Sequence, residues 1–268
     1  MDSKKLAKNV RKDVLLMTSN AGAGHIGSIL SITDIVAVLY SKVMKIDAKD
    51  TQNPLRDRFI LSKGHAGACV YATLAELGFF DKKELANYYN PNGTTLSGHV
   101  THKGNPGVEF STGSLGHGVS VAVGMALAGK IDNASYRVFT IAGNGECNEG
   151  SIWEAISFAS HNKLDNFTLI VDHNKIQSMG DSDKILDMGT YAEKFNAFGA
   201  SVIEIDGHDH AQIERALKFR EKGKPTVIIA HTIKGKGVSF MENNNLYHSA
   251  CAKGELLEKA LYEVENAK

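Results

Sequence analysis

The chain has 268 residues, of which 43% are apolar and 22% charged, with only four prolines, a composition suited to one substantial core. Lys and Arg (30) equal Asp and Glu (30), so no net field draws the protein to nucleic acid or an anionic membrane. No apolar run approaches the roughly 18 residues of a membrane span, and charges interrupt every apolar cluster of "MDSKKLAKNVRKDVLLM", unlike a secretory signal.

The first half of the chain reads as mainly helical. Its Lys-rich start is expected to be a solvated helix, and "VRKDVLLMTSNA" is amphipathic. Ser31–Met44, His65–Leu77 and Leu115–Lys130 carry apolar residues at helical spacing. From Tyr136 onward, strand-like and helical runs alternate. Strands are expected at Tyr136–Ala142, Phe167–Asp172, Ser201–Ile205 and Thr226–His231, with helices at Ser151–Asn162, Met188–Phe198 and His208–Glu221. Asp206-Gly207 is the expected N-cap of the last of these helices. This alternation predicts an α/β fold, a doubly wound parallel sheet flanked by helices. No Pro-, Gly- or Ser-rich linker, repeat or low-complexity tract divides the chain, so residues 1–268 are read as one domain. Cys69, Cys147 and Cys251 are far apart and form no metal-ligand spacing. Free thiols in a reducing cytoplasm are expected.

The glycines cluster where backbone would approach something closely. "GAGHIG", from Gly22 to Gly27, has the letters of a dinucleotide loop. It follows a helix-like segment rather than a strand, and no acidic residue stands roughly twenty positions on for the ribose, so a nicotinamide oxidoreductase is set aside. "TGSLGHG", from Thr112 to Gly118, opens a helix and suits either an anion at the helix N-terminus or a tight turn. Asn144 and Asn174 end two strands one crossover apart. Their oxygens could hold a divalent cation on a diphosphate, with Gly143 and Gly145 admitting the phosphate oxygens. Two ordinary Asn-rich turns would look the same.

"GNGECNEGSIWEA…KLDN…VDHNKIQ" resembles the thiamine diphosphate motif of transketolases, and four further segments resemble that family in order: "AGAGHIGSILSITDIVAVLY", "RDRFILSKGHA", "SGHVTHKGNPGVEFSTGSLGHG" and "IDGHD…KPTVIIAHTIKGKG". The resemblance covers nearly the whole chain. It implies that Gly143, Gly145, Glu146 and the Ser114–Leu115–Gly116 loop line thiamine diphosphate, and that Asn174 and the Ile176 carbonyl hold Mg2+ or Ca2+, with Asn144 as a third ligand. It implies further that His65 and His248 touch the diphosphate or the reacting centre, that His25 and His99 face substrate hydroxyls, and that Lys234 lies close to the cofactor. Imidazoles suit this chemistry, because cleaving a ketose carbon–carbon bond moves protons near neutral pH. His102, His117, His161, His173, His208, His210 and His231 receive no role.

Two departures from the family matter. The chain resembles only the diphosphate-side domain. The pyrimidine-binding and C-terminal domains, with the glutamate that activates the cofactor, are then expected on a partner subunit in an α2β2 heterotetramer acting on a sugar or sugar phosphate. Asn144 stands where the family has Asp, which removes one negative charge from the expected cation site. The alternatives are a deoxyxylulose-phosphate-synthase-like enzyme and a non-catalytic or regulatory subunit.

Overall fold

In a computed structural model describing residues 2–267, five short β-rich runs pair as one parallel sheet. They are β1 (Arg58–Leu61), β2 (Val138–Gly143), β3 (Phe167–His173), β6 (Ser201–Asp206) and β7 (Thr226–His231), in the order β1-β2-β3-β7-β6. A small antiparallel pair, β4 (Ile176–Gln177) and β5 (Gly180–Asp181), follows β3. The central strands are almost continuously apolar because both faces of the sheet are covered. Strand pleating sorts their side chains into two cores. Phe139, Ile141, Ile170 and Ile228 join one, and Val138, Leu169, Val171 and Val227 the other.

The first core packs beneath α1 (Ser3–Ala21), α2 (Ile26–Ser31), α3 (Thr33–Val38), α4 (Gly67–Glu76), α9 (His210–Lys218) and α10 (Glu255–Asn266). The second packs beneath α5 (His117–Ile131), α6 (Gly150–His161) and α8 (Tyr191–Ala197). A one-turn helix, α7 (Ser182–Ile185), lies on the loop after β5. The Lys-rich start is a true helix, capped by the Asp2 carboxylate on Lys5 N–H and ended by Gly22 at φ +62°. It is less solvated than its lysines suggest, since Leu6, Val10 and Val14 are fully buried. "GAGHIG" therefore joins two helices, not a strand to a helix.

The expected helix at 31–44 is broken into α3 and a π-helical turn, Leu39–Val43. Hydroxyls explain the interruption between α2 and α3: Ser31 bonds back to the Ser28 carbonyl (3.0 Å) and Thr33 to the Ile29 carbonyl (3.1 Å), both competing with the helical ladder. The expected N-cap of α9 is corrected as well. Asp209 caps it, accepting from Ala211 and Gln212 N–H, whereas the Asp206 carboxylate accepts from His208 N–H in the preceding turn. No helix among the described residues is long and apolar enough to cross a membrane.

Candidate active site

Register places the two Asn-bearing turns side by side. β2 and β3 pair in parallel with Gly143 opposite Asp172, so Asn144 and Asn174 leave the carboxyl ends of neighbouring strands. A cavity of about 230 Å³ opens there. Its lining includes His25, His65, His99, His248, Lys63 and Lys234, together with Gly143, Gly145, Glu146, Asn144, Asn174, Ile176 and Leu115. Of the residues expected at a cofactor site, Ser114 and Gly116 alone fall outside that lining. Gly116 is tied to it, because its N–H donates to Glu146 Oε1 at 2.9 Å.

Four imidazoles from distant parts of the chain converge on this cavity. The His25 ring centroid lies 5.2 Å from that of His65, 5.8 Å from His99 and 5.2 Å from His248. His25 reaches the cluster through a left-handed backbone, φ +69°, unusual for a non-glycine residue. Its N–H donates to the His248 carbonyl at 2.7 Å, joining the turn before α2 to the loop after β7. Close approach explains the neighbouring glycines. A Cβ on Gly24 would meet the Ser249 carbonyl at 2.9 Å, and one on Gly145 would meet the Gln177 side chain at 2.8 Å.

Below the histidines lies a buried ion pair. Lys63 (1% exposed) donates to Asp172 Oδ2 (0% exposed) at 2.6 Å and to the Ser28 carbonyl at 3.0 Å. Ser31, Thr232 and Asn174 also donate to the Asp172 carboxylate. Burial pushes the Asp172 carboxyl up, but Lys63 and these donors bring it below its ordinary range. Asn174 Nδ2 is thereby fixed on Asp172 at 2.8 Å, so its Oδ1 turns the other way, toward Ile176 N–H. Ser28 hydrogen-bonds His65 Nε2 at 2.9 Å, linking the pair's surroundings to the cluster. Neither Lys63 nor Asp172 was marked by the sequence pattern. The available signal was position alone: Lys63 stands two residues before His65, and Asp172 two before Asn174.

The electrostatics favour neutral imidazoles at His25, His65 and His248. Burial first, then the nearby Lys63 and neighbouring histidines, hold His65 well below the ordinary histidine value. Burial followed by His99, Lys63 and Lys234 lowers His25, and burial followed by Lys234 and His25 pushes His248 down to about 4. Lys234 itself falls to about 8, from burial and then the Lys63 charge. Its ammonium lies 3.0 Å from His248 Nδ1 and 3.4 Å from each of the Ile176 and Gln177 carbonyls. Glu146 knits the phosphate-side loops, accepting from Ser62 (2.5 Å), Gly116 N–H and Gly143 N–H, and burial raises its carboxyl.

Donor chemistry supplies the test of whether a cation and a diphosphate fit. Asn174 Oδ1 and the Ile176 carbonyl are hard oxygens suited to Mg2+ or Ca2+, and an ammonium already lies against the Ile176 oxygen. Two buried lysines face the same space, which suits an anionic group. Asn144 fits less simply. The amide orientation that satisfies both its ends has the nitrogen donating to the Asp172 carbonyl at 3.0 Å and the oxygen accepting from Gly145 N–H at 3.2 Å and from the Ser182 hydroxyl. Both lone pairs of that oxygen are engaged, so reaching a cation requires the amide to turn.

Comparison with known proteins agrees with this geometry. The family model for the transketolase thiamine diphosphate binding domain matches residues 2–262. The chain is 41% identical over 267 residues to the 6-deoxy-6-sulfo-D-fructose transketolase subunit SqwG of Clostridium sp. (strain MSTE9), spanning 99% of this chain and 97% of that protein. It is 40% identical to an apulose-4-phosphate transketolase subunit from Actinobacillus succinogenes, spanning 98% and 95%. Against human transketolase the identity is 38%, over 97% of this chain but 42% of the human one. Among solved structures, the transketolase of Campylobacter jejuni superposes with a TM-score of 0.91 at 33% identity, covering 99% of this chain and 43% of that one. The chain belongs to the transketolase family, matching its N-terminal thiamine diphosphate binding domain.

Proposed function

We propose that the chain is the diphosphate-side subunit of a split transketolase. It would transfer a two-carbon ketol unit from a ketose, or ketose phosphate, to an aldose. On this reading residues 1–268 form one domain, and a partner subunit supplies the pyrimidine-binding and C-terminal domains in an α2β2 assembly. The convergence of four histidines beside the Asn174–Ile176 turn carries the reading. Support comes also from the relatives named as transketolase subunits, which the chain matches over nearly their whole length. A cytoplasmic location completes the proposal, as its three free cysteines suit a reducing compartment.

Thiamine diphosphate, when bound, supplies the electron sink for breaking the ketose carbon–carbon bond. Asn174 Oδ1 and the Ile176 carbonyl would hold its Mg2+ or Ca2+, joined by Asn144 once its amide turns. Gly143, Gly145, Leu115 and Lys234 would flank the diphosphate. Lys234 as an ammonium donates to His248 Nδ1, so His248 carries its own proton on Nε2 and presents it as a donor. Ser28 occupies His65 Nε2, leaving Nδ1 for a ligand. Among the described residues the His25 and His99 rings have no such hydrogen-bond partners, and they would exchange protons with substrate hydroxyls.

The reading is tested by co-expressing the chain with its partner and assaying ketol transfer from a ketose phosphate, with thiamine diphosphate and Mg2+ present. Turnover should require both chains, and His25→Ala or His99→Ala should lower kcat by about 10²–10⁴-fold. A stable complex that binds the cofactor but transfers no ketol unit from any ketose would favour the non-catalytic alternative. The engaged oxygen of Asn144 is the observation on that side.

A further inference from the structure

We propose that His173 and His231 form a second metal site, for a borderline transition ion such as Zn2+, Ni2+ or Cu2+, separate from the diphosphate cation. The two residues are register partners on adjacent parallel strands, β3 and β7, so their side chains leave the same face of the sheet. Their Nδ1 atoms face each other at 3.3 Å, with the rings tilted by 53°. That spacing has a specific meaning. Two imidazole nitrogens bound tetrahedrally to zinc at ~2.0–2.1 Å are about 3.3–3.4 Å apart. As a hydrogen bond, in contrast, 3.3 Å lies beyond the usual range for nitrogen donors.

The outer partners strengthen the assignment. His231 Nε2 lies 2.8 Å from Glu204 Oε2, on the neighbouring strand β6. A carboxylate accepting from Nε2–H fixes the tautomer that leaves a lone pair on Nδ1, pointing at His173. It is the arrangement by which carboxylates orient metal-bound histidines. The His173 ring is held edge-on by Tyr191, with centroids 5.2 Å apart. No group of three or more His, Cys, Asp or Glu ligands is preassembled among the described residues, so the pair is a two-nitrogen site completed by water or another ligand. Both histidines line an open cleft of about 1160 Å³ that also borders Asn174 and Ile176.

Ligand chemistry separates the two sites. Mg2+ and Ca2+ prefer the carbonyl oxygens of Asn174 and Ile176, whereas neutral imidazoles favour zinc, nickel and copper. An ion on His173 would tie the end of β3, one residue before Asn174, to β7.

The test uses the full chain, crystallised with Zn2+ in excess Mg2+, with anomalous diffraction recorded at the zinc edge. The expected peak lies between the two Nδ1 atoms. In solution, competition against a chromophoric chelator should show zinc affinity falling at least tenfold in His173→Gln and in His231→Gln. Glu204→Gln should cost about 10–100-fold, and because Glu204 is exposed its fold should be undisturbed. His99→Gln controls for zinc captured by the four-histidine cluster and should leave the affinity unchanged. A peak only within that cluster, or affinity unaltered by His231→Gln, would overturn the proposal.

Discussion

Asn144 meets Ser182 and Gly145 with its side-chain oxygen and Asp172 with its nitrogen, so it behaves as a buried structural amide. Asn144→Asp would replace the nitrogen by an oxygen facing the Asp172 carbonyl, a repulsion relieved if the carboxylate swings toward the cation. Once there it adds a full charge to the metal's surroundings. The expected outcome is a Mg2+ affinity about tenfold higher or more in the assembled, cofactor-bound complex, equivalent to about 1.4 kcal/mol. Titrating Mg2+ against cofactor binding checks it, and an unchanged midpoint would show that residue 144 does not reach the ion. Lys234 gives a pH prediction. Its value of about 8 reflects burial and then the Lys63 charge, which outweigh the more distant Asp172 carboxylate. A diphosphate arriving beside it favours the ammonium form and raises that value, so binding should take up a proton around pH 8–9. Cofactor affinity should accordingly decline as pH rises through this window. Calorimetry in buffers of different ionisation enthalpy would detect the uptake, and Lys234→Met should abolish it. The sequence showed the surface-lining members of this site because glycines and histidines flank one another in short segments. Lys63 and Asp172 escaped notice since a lone Lys or Asp ordinarily signals a solvated charge. Only the three-dimensional packing reveals that both are buried.

The ion pair between Lys63 and Asp172 belongs to the scale of elements, because it joins the loop after β1 to β3, α2 and the loop after β7. Removing one partner of a buried pair typically costs about 3–5 kcal/mol, but the two single variants should differ. Asp172→Asn leaves the Lys63 ammonium buried against neutral oxygens only, with no counter-charge, so the full penalty is expected. Lys63→Met leaves the carboxylate with Ser31, Thr232 and Asn174 as donors, so its loss should be smaller. The double variant should recover part of the Asp172→Asn loss, as it buries no unpaired cation. Chemical denaturation of the three variants checks this order, and equal losses for the single variants would contradict it. Element boundaries were legible where burial is uniform: Thr226–His231 matches its expected range, and α6 is displaced by only one residue at each end. They failed where side-chain hydroxyls or carboxylates compete with the backbone, as at Ser31, Thr33 and Asp209. β1 went unread because it is a four-residue edge strand entered from Arg and Asp. His208 and His210 proved structural, joining Arg11 around the buried Asp34 and so tying α9 to α1 and α3.

For the whole molecule, the parallel βαβ plan followed from alternation along the chain, but the insertion of β7 between β3 and β6 did not. Strand order depends on how helices share the two faces, which no local pattern encodes. The same holds for the surface of α5. Lys130 is the only Lys, Arg, Asp or Glu in this helix, and a helix apolar on all sides is expected to be enclosed. In the isolated chain, however, Ser120, Gly124, Ala128 and Ile131 are exposed along one side. Small residues allow another backbone to approach closely, which suits the partner subunit proposed above. Gly124 isolates this property from folding, because a Cβ there would meet nothing within 4 Å. Gly124→Arg should leave the single chain as stable as before, or up to about 1 kcal/mol more stable through better helix propensity. It should nevertheless raise the dissociation constant of the assembly by at least about 100-fold, since a buried, unpaired guanidinium and its bulk would oppose closure of the interface. Thermal denaturation of the single chain, beside sedimentation of the mixture with its partner, measures the two effects separately. Normal assembly by Gly124→Arg would place the partner on another face. Loss of the single-chain fold would instead show that α5 is constrained from within.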